Sequence, residues 1–249
     1  PANPTAYSWM IPDVPTTTAR VRVEDATDAT VFDTSNANFS IVGNFTITAP
    51  NGGEVWKVAE SRNITWNWGG TIPTVKLLYS TNSGATYPNT IVASTANGPG
   101  SSGSFSYAWT IPDSISTTVR VRIESTANPS TADTSNADFK IRGDLALTAP
   151  NGGERWIVND NRGETGAPLV NYSLIKWTDV GTIPTVKLEY STDAGVTYPN
   201  VIASSVTNVI GANSYNWTIP QSLGIQVRVK VTNTADTTVF DDSNANFTI

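Results

Sequence analysis

Apolar and polar residues alternate with a period of two in several short stretches of this chain. Val119, Val121 and Ile123, for example, alternate with Arg120 and Arg122. Alternation over roughly five residues is typical of a strand with one buried face and one solvent face. No long window shows the spacing of three to four residues that an amphipathic helix requires. The pattern therefore predicts a chain built from β-strands.

The middle of the chain is predicted to contain about seven short strands, separated by turn signals such as Asn-Gly-Gly, Asn-Ser-Gly and Ile-Pro-Asp. The predicted strands are residues 45–49, 61–68, 75–81, 90–95, 104–111, 117–125 and 138–142. About seven strands in roughly 100 residues are typical of an immunoglobulin-like or fibronectin-like sandwich. Trp66 and Trp109 are the predicted large core residues, with Trp56 as a third candidate.

The same motifs recur along the chain. Residues 33–54, DTSNANFSIVGNFTITAPNGGE, end one repeat and begin the next; the pattern returns at 133–154, and its first half returns at 241–249. The offset is 151 − 51 = 100 residues at the front and 215 − 107 = 108 at the back. An insertion around 163–172 accounts for most of the difference. A period this long predicts self-contained domains rather than solenoid turns.

We divide the chain into the C-terminal half of an Ig-like repeat (1–43) and two full Ig-like repeats (44–143 and 144–249). The last strand of one repeat and the first strand of the next are separated only by Gly43 and Asn44, which is too short for a flexible tether. The predicted fold class is therefore all-β: tandem immunoglobulin/fibronectin-like β-sandwiches, about seven strands per domain, arranged as a rod.

The half repeat raises a question of its own. It lacks every strand before Tyr7, so its remaining strands are expected to expose their edges and an open core unless they are completed. Upstream residues of the same polypeptide could complete it, or a neighbouring subunit could donate strands by β-augmentation. We favour the first, and since the chain opens at Pro1 in mid-repeat, we expect it to derive from a longer polypeptide.

Composition narrows the function classes. The formal net charge is −6 with a pI near 4.6, so nucleic acid is not an expected partner. No apolar run approaches the roughly 18 residues that cross a bilayer, so no membrane span is expected. Cysteine and histidine are both absent, which excludes disulfides, thiolate nucleophiles, imidazole bases and Cys/His zinc sites. An acidic surface rich in Thr and Asn favours an extracellular or cell-surface location.

The motif order resembles a known family. Pro-Asn-Gly-Gly-Glu-x-Trp, Ile-x-Trp, Val-Lys-Leu-x-Tyr-Ser-Thr, Tyr-x-Trp-x-Ile-Pro and Ser-Asn-Ala-x-Phe-x-Ile follow one another in residues 50–141. This order is similar to that of the Ser-Thr-rich GPI-anchored, yeast cell-wall-synthesis-like domain family, whose bacterial and archaeal members occur in tandem on large secreted proteins. The resemblance covers essentially the whole chain and implies an Ig-like fold and a surface location. It supplies no catalytic residues.

One turn matches the Asp-box pattern of sialidase propellers. Residues 191–198 read STDAGVTY, and Asn82 replaces Asp193 in the preceding repeat. Two boxes separated by 193 − 82 = 111 residues do not make a propeller, whose blades repeat about every 40–50 residues. We expect a hairpin turn in which the short polar side chain hydrogen-bonds its own turn and the aromatic residue packs beneath it.

Carboxylates cluster in one loop of each repeat. They are Glu24, Asp25, Asp28, Asp33, Glu124, Asp133, Asp236, Asp241 and Asp242. Calcium takes six to eight oxygen ligands, but the second repeat has Asn128 and Ser130 in this loop and no EF-hand register. We expect Asp33, Asp133 and Asp241 to cap the turn into the last strand, with calcium as the alternative. Spacing alone does not support a paired-carboxylate glycosidase, and no catalytic, cofactor or metal residue is assigned.

Three further patterns have structural interpretations beside functional ones. Basic pairs occur on one strand of each repeat, namely Arg20/Arg22, Arg120/Arg122 and Arg228/Lys230. They are interpreted as a solvated face, with contact to an acidic neighbour as the alternative. Glycosylation sequons occur about as often as chance predicts in so Asn- and Thr-rich a chain, at Asn38, Asn44, Asn63, Asn171, Asn216 and Asn246. Trp68, Tyr87 and Tyr198 could stack on sugars, although packing in the core or in a turn is favoured.

The sequence favours a non-enzymatic structural segment of an extracellular repeat protein that forms a surface filament, sheath or stalk. Its expected partners are neighbouring copies of itself or further repeats of the same chain. An adhesin or carbohydrate-binding arm, with cell-surface glycans as partners, is the alternative. Accessory domains of a secreted hydrolase are a third.

Overall fold

The computed structural model describes residues 6–156, 158, 173–221 and 223–249. The described chain is all-β. Its strands, in order, are β1 (Thr16–Ala19), β2 (Arg22–Glu24), β3 (Phe32–Thr34), β4 (Phe39–Ile41), β5 (Asn44–Ala49), β6 (Val55–Lys57), β7 (Ser61–Gly69), β8 (Thr74–Ser80), β9 (Asn89–Ala96), β10 (Ser102–Thr110), β11 (Ser116–Ser125), β12 (Ala132–Thr134), β13 (Phe139–Arg142), β14 (Asp144–Ala149), β15 (Ser173–Val180), β16 (Thr185–Ser191), β17 (Asn200–Thr207), β18 (Gly211–Trp217), β19 (Arg228–Asn233) and β20 (Phe240–Asp242).

Each predicted strand of residues 44–143 is present with its ends shifted by one or two residues. The observed counterparts are β5, β7, β8, β9, β10, β11 and β13. Two strands were missed, β6 and β12, each only three residues long. Three residues are too few to show a period of two, so the sequence offered no signal for them.

The strands pair into two sheets in each full repeat. In residues 44–143, a three-stranded sheet has the order β10-β7-β5, and a six-stranded sheet has the order β6-β13-β11-β8-β9 with β12 on β11. In residues 144–249, the sheets are β14-β15-β18 and β17-β16-β19-β20. The prediction of tandem Ig/fibronectin-like β-sandwiches is confirmed.

The chain divides into two compact units that cut across the sequence repeats. The first comprises Pro1–Glu54, Arg62–Trp109 and Thr117–Lys140, and the second comprises Val55–Ser61, Thr110–Ser116 and Ile141–Ile249. Each unit therefore contains one place where two sequence repeats meet. The repeat boundaries at 43/44 and 143/144 stay predictions. The insertion around 163–172 and the sequon at Asn171 lie outside the described residues.

The core of the first unit is built on one buried tryptophan. Trp66 is fully buried, and its indole Nε1 donates a hydrogen bond of 2.7 Å to Oδ1 of Asn97. The apolar side chains of the alternating strands are buried in this unit, among them Ile47, Ile64, Val75, Leu77, Val119, Val121, Ile123 and Phe139. Trp109 and Trp56 are also buried, at 6% and 7% exposed, so the predicted large core residues are confirmed.

The second unit repeats this arrangement around Trp177. Its indole Nε1 donates to Oδ1 of Asn208 at 2.6 Å, and the Asn208 amide donates in turn to the Asp179 carboxylate at 3.0 Å and to the carbonyl of Ile183 at 2.8 Å. The surrounding buried residues include Leu145, Leu147, Ile175, Val186, Leu188, Val227, Val229, Val231 and Phe247. A buried indole N–H without a partner would be costly, so each asparagine lets a large ring occupy the core.

Candidate functional site

Each full repeat is closed by a contact between its first turn and its last segment. The Asn-Gly-Gly-Glu turn is held internally, because the Glu54 carboxylate accepts hydrogen bonds from the N–H groups of Asn51 and Gly52, both at 2.8 Å. The Asn51 side chain then accepts from the backbone N–H of Asn136 at 2.7 Å. The Ser135 hydroxyl donates to the carbonyl of Pro50 at 2.7 Å.

The third repeat makes the same closing contacts. Asn151 accepts from the N–H of Asn244 at 2.8 Å, and the Ser243 hydroxyl donates to the carbonyl of Pro150 at 2.7 Å. The two motifs that adjoin in sequence at each seam therefore bind partners of their own repeat. Closure of a repeat is internal, although its motifs lie about as far apart in sequence as the repeat allows.

Asp133 and Asp241 of the last loop bind the first strand of their repeats, which corrects the predicted turn cap. Oδ2 of Asp133 accepts from the backbone N–H of Ile47 at 2.6 Å, and Oδ2 of Asp241 accepts from that of Leu147 at 2.7 Å. Both acceptors act beside a bulge, where the register of the first strand shifts by one residue. The bulge leaves Thr48 out of the ladder while Ile47 stays paired with Trp66, and the aspartate binds the N–H of Ile47 from the other sheet of the sandwich.

A second repeated contact joins successive repeats, and we call it the Asp–Thr joint. In the first unit, the Asp13 carboxylate accepts from the backbone N–H and the hydroxyl of Thr71, each at 2.7 Å. In the second unit, Asp113 accepts from the N–H of Thr182 at 2.9 Å and from its hydroxyl at 2.6 Å. The same pair of bonds thus forms at both places where repeats meet.

Glycines shape both Asp–Thr joints. Gly70 and Gly181 precede the two threonines and have φ of 87° and 84°, a conformation that favours glycine and presents the next N–H to the aspartate. Gly43 lies so close to the carbonyl of Gly69 that an added Cβ would be 2.6 Å from its oxygen. Gly143 is in the same situation against the carbonyl of Val180, at 2.8 Å. The seam is therefore short and also tightly packed.

The second joint has two additional polar contacts. Lys57 Nζ lies 2.8 Å from Oδ2 of Asp144, and Arg142 donates to the carbonyl of Thr238 at 3.1 Å. Both side chains are partly exposed, so we expect these two contacts to fix the geometry of the joint more than they stabilise it.

The electrostatics of the first joint favour its charged form. The hydroxyl and the N–H of Thr71 both donate to the Asp13 carboxylate, and this holds its pKa below the usual value for aspartate. Such bonds to an ionised acceptor are stronger than bonds between neutral groups. The joint is therefore intact throughout the neutral range.

A cavity of about 360 Å³ lies in the first unit beside its joint. It is lined by aliphatic side chains, hydroxyls and one amide, from Pro15, Thr16, Thr17, Ile41, Val42, Gly43, Thr71, Ile72, Pro73, Ser125, Ala127, Asn128 and Thr131. None of these residues has an acidic or basic side chain, so the cavity offers no group for proton transfer.

The Asp-box turn has the predicted structural role. Oδ1 of Asp193 accepts from the Ser191 hydroxyl at 2.5 Å and from the N–H of Thr197 at 3.0 Å, while Oδ2 accepts from the Thr197 hydroxyl at 2.6 Å. These bonds, led by that from Ser191, lower the pKa of Asp193 to about 2. Asn82 makes the neutral version of the turn, accepting from the Ser80 hydroxyl at 2.6 Å and from the N–H of Thr86 at 3.1 Å.

Tyr198, the aromatic residue of this turn, packs as predicted and does not project into solvent. It is partly buried, and its hydroxyl donates a hydrogen bond to the Asp242 carboxylate. Burial and then this bond raise the pKa of the Tyr198 phenol well above its usual value. Burial also raises the pKa of Tyr87 in the second repeat. Trp68, the third candidate for sugar stacking, is 6% exposed and belongs to the core.

Several of the clustered carboxylates hydrogen-bond their own loops. Asp25 accepts from the hydroxyl of Thr27 at 2.7 Å and Asp28 from that of Thr30 at 2.5 Å, and these bonds lower both pKa values. In the described ranges, no group of three or more acidic, Cys or His side chains is placed to hold a metal ion. Calcium binding stays an untested alternative.

The first arginine of each basic pair contacts an acidic or amide group of its own repeat. Arg120 Nε lies 2.6 Å from Oδ1 of Asp138, and this bond lowers the pKa of that carboxyl. In the other repeats the same position is an asparagine: Arg20 donates to Asn38 at 2.7 Å and Arg228 to Asn246 at 2.8 Å. These side chains are committed to contacts within the fold.

Sequence reasoning missed the residues of the joint. Asp13 and Asp113 were interpreted only as parts of Ile-Pro-Asp turns, and Thr71 and Thr182 were given no role. A signal was present in the third repeat, where Gln221 follows Ile219-Pro220 in place of the aspartate. A role in the turn alone does not explain why the third repeat has Gln221 where the other two repeats have an aspartate.

Comparisons with known proteins bear on the fold alone. No family model matches the chain, and no curated protein matches it. Among solved structures, the fibronectin(III)-like modules of Clostridium thermocellum CbhA align over 82% of this chain and 93% of theirs, at 14% identity and a TM-score of 0.25. A chimeric titin Z1Z2 carrying a decorin peptide aligns over 84% and 97%, at 15% identity and a TM-score of 0.25.

A third similar structure is DIP-gamma IG1+IG2, aligned over 82% of this chain and 96% of its own, at 8% identity and a TM-score of 0.28. Scores at this level carry no argument about function. The described residues include no helix able to span a bilayer.

Proposed function

We propose that this chain is a non-enzymatic structural segment of an extracellular repeat protein that forms a surface filament, sheath or stalk. The single observation that carries the proposal is the repetition of the Asp–Thr joint. Asp13 with Thr71 and Asp113 with Thr182 make the same contact twice, each beside a glycine whose Cβ would not fit. A protein that only displayed independent binding modules would gain nothing from fixing each module to the next.

The side chains that could do chemistry support the same proposal. Asp193 is tied into its turn, Tyr198 is bonded to Asp242, and Arg120 is paired with Asp138. Groups held in this way are engaged in contacts within the fold. The resemblance to the Ser-Thr-rich GPI-anchored family adds the surface location, and further copies or repeats are the proposed partners.

Immunogold labelling of intact, unpermeabilised cells that produce the protein tests this proposal. We expect label along extended surface structures, because a structural segment must be present wherever the structure is. Label confined to the cell interior, or to dispersed secreted molecules, would overturn it. A screen of the purified chain on a glycan array is the matched test of the adhesin alternative, which specific binding of one sugar class would favour.

A further inference from the structure

Two of the glycosylation sequons place their asparagine on the outer face of a three-stranded sheet. The first sequon begins at Asn63 in β7, and the second begins at Asn216 in β18. Both asparagines are exposed, whereas the residue that follows each of them is buried, Ile64 completely and Trp217 at 5% exposed. Because successive side chains of a strand point to opposite faces, the buried residue directs the asparagine into solvent.

The two asparagines occupy nearly the same place on that face, although they lie on different strands. Trp177 corresponds to Trp66, so the position equivalent to Asn63 in the third repeat is Leu174 (177 − 66 = 174 − 63 = 111). Leu174 lies directly opposite Asn216 in the pairing of β15 with β18. Side chains opposite each other in an antiparallel pair are about 5 Å apart. The two full repeats thus present a sequon asparagine at one point of the sheet, reached from two strands.

The other described sequons place their asparagine in a different setting. The side-chain carbonyls of Asn38 and Asn246 each accept a hydrogen bond from an arginine of their own repeat. Asn44 lies at a seam, where the equivalent residue of the next seam is ion-paired. The side chains of Asn63 and Asn216 make no hydrogen bond within the part of the chain that the structure describes. Their amide nitrogens are therefore available for a covalent attachment.

The sheet face around Asn63 is uncharged, although 14% of the residues of the chain are charged. Its outward positions in β5, β7 and β10 carry only hydroxyl, amide or small side chains, among them Thr46, Thr48, Thr65, Asn67, Ser104 and Ser106. The edge strand of this sheet, β10, contains neither a charged residue nor a proline. Charges and prolines are the usual means by which exposed sheets avoid association, so this face lacks that protection.

The equivalent face of the third repeat has an exposed apolar side chain at the same point. Leu174, opposite Asn216, is 39% exposed. An oligosaccharide is bulky and solubilising, and one attached to Asn216 would lie over this leucine. The sequons therefore occur where both sheets would benefit most from a hydrated cover.

We propose that Asn63 and Asn216 carry N-linked oligosaccharides, which cover the outer faces of the two three-stranded sheets. The modification rests on the proposed function, because an extracellular chain is exported and can meet the transferase on its way. Nδ2 of the asparagine forms a bond to the anomeric carbon of an oligosaccharide carried on a lipid phosphate. The bond from that carbon to the phosphate oxygen breaks, the lipid phosphate leaves, and the amide nitrogen loses one proton.

The order of events follows from the position of the sequons. In the folded chain, β7 is paired on both sides, with β10 and β5, and Asn216 belongs to the ladder between β15 and β18. A transferase cannot surround a segment that is paired in a sheet, so the oligosaccharide is attached before these strands pair. Folding then leaves both oligosaccharides in solvent, because both side chains point outward.

Peptide mapping by mass spectrometry tests the proposal on the full chain purified from the cells that produce it. We expect most molecules to carry added glycan mass on Asn63 and on Asn216. Asn246 provides the internal control, since its side chain is partly buried and accepts from Arg228, and it should carry none.

The matched variants are Thr65→Ala and Thr65→Ser, produced in the same cells. Thr65→Ala removes the hydroxyl residue of the sequon and keeps the asparagine, so glycan mass should disappear from Asn63 and persist on Asn216. Thr65→Ser restores a sequon and should retain the mass at both sites. Thr218→Ala should have the reverse effect of Thr65→Ala.

Unmodified Asn63 and Asn216 would overturn the proposal, as would glycan mass that persists on Asn63 in Thr65→Ala. If such unmodified protein is labelled at the cell surface, the proposed function stands and only the modification fails. Glycosylated protein that the label finds only in the cell interior would instead overturn the proposed function and leave the modification standing.

Discussion

Asp133 and Ile47 belong to opposite sheets of one sandwich, yet the carboxylate of the first accepts the backbone N–H of the second at 2.6 Å. The same relationship links Asp241 to Leu147 at 2.7 Å. Each aspartate satisfies a backbone donor of the first strand from a strand of the other sheet. The side chains of Ile47 and Leu147 can then remain in the core, at 1% and 3% exposed.

Replacing Asp133 by alanine should therefore destabilise the second repeat. The loss leaves a buried N–H without an acceptor, which costs about 1–3 kcal/mol. Urea unfolding followed by tryptophan fluorescence measures the change in the free energy of unfolding. Asp33→Ala is the matched control, because the Asp33 carboxylate accepts from the N–H of the neighbouring Thr34 rather than from a distant strand, and it should change stability little. Equal effects of the two substitutions would contradict the assigned role.

The two buried asparagines should differ in their contribution to stability. Asn97→Ala removes the acceptor of the Trp66 indole, and Asn208→Ala removes that of Trp177. Asn208 also donates to Asp179 and Ile183, whereas the Asn97 amide nitrogen has no hydrogen-bond partner in the described residues. We expect a loss of about 1–3 kcal/mol for Asn97→Ala and a larger one for Asn208→Ala.

Thermal unfolding of the two variants, each compared with the parent chain, checks this order. A larger effect of Asn97→Ala would show that the additional bonds of Asn208 contribute no net stability.

The Asp-box turn should loosen only in strong acid. The pKa of Asp193 is lowered to about 2 from the model-peptide value of 3.8, so its hydrogen bonds stabilise the fold fully above about pH 4. That contribution is lost as the pH falls through about 2, where the carboxylate is protonated in the folded chain. The amide resonance of Thr197, followed by NMR, should titrate with a midpoint near 2.

Asn82 provides the control within the same molecule. Its turn has the same bonds to Ser80 and Thr86 but no titrating group, so the Thr86 amide should not show this transition. Asp193→Asn should abolish the titration at Thr197 and leave the turn intact. A midpoint near 4 at Thr197 would mean that the carboxylate gains little from its bonds.

The Asp–Thr joints should open independently of each other. Asp113→Ala removes the acceptor of the Thr182 N–H and hydroxyl, so amide exchange at Thr182 should accelerate. Asp13→Ala should do the same at Thr71. Each variant controls for the other, because neither should affect the distant threonine. Unchanged exchange at Thr182 in Asp113→Ala would show that glycine packing alone holds the joint.

Two adjacent glycines of the first turn should respond differently to alanine. At Gly52 (φ 134°) an added Cβ would lie 2.5 Å from Cβ of Ala137, whereas at Gly53 (φ 85°) it would meet no atom within 4 Å. Gly53→Ala should cost about 1–2 kcal/mol from backbone strain alone. Gly52→Ala adds a steric clash that must displace the last segment of the repeat. Denaturant unfolding of both variants measures the difference, and equal losses would contradict it.

The features predictable from sequence are those whose causes are local. The period of two at Val119, Val121 and Ile123 predicted β11, and the hydrogen bonds that the Asp193 and Ser191 side chains make in the Asp-box turn span no more than four residues. Trp66 and Trp109 could be assigned to the core because few places other than a core accommodate such rings.

The features that were missed depend on partners distant in sequence. Asp133 was expected to cap its own turn, but its partner lies 86 residues away. Asp13 binds Thr71 across 58 residues, and nothing in the Ile-Pro-Asp motif itself shows that its carboxylate points to another repeat. The three-residue strands β6 and β12 exist because neighbouring strands pair with them, and a period cannot appear in so short a segment.

The closing contact within each repeat also limits how such a chain can gain or lose length in evolution. Pro50 and Asn51 bind Ser135 and Asn136, so a duplication or deletion that breaks inside a repeat separates partners and leaves a defective sandwich. A break at the seam, next to Gly43 or Gly143, transfers a repeat with both of its closing motifs. The repeat also keeps its own residues of the Asp–Thr joints. The two seams resemble each other in sequence, at 33–54 and 133–154, so exchange between them joins repeats at the point where the folded protein tolerates it.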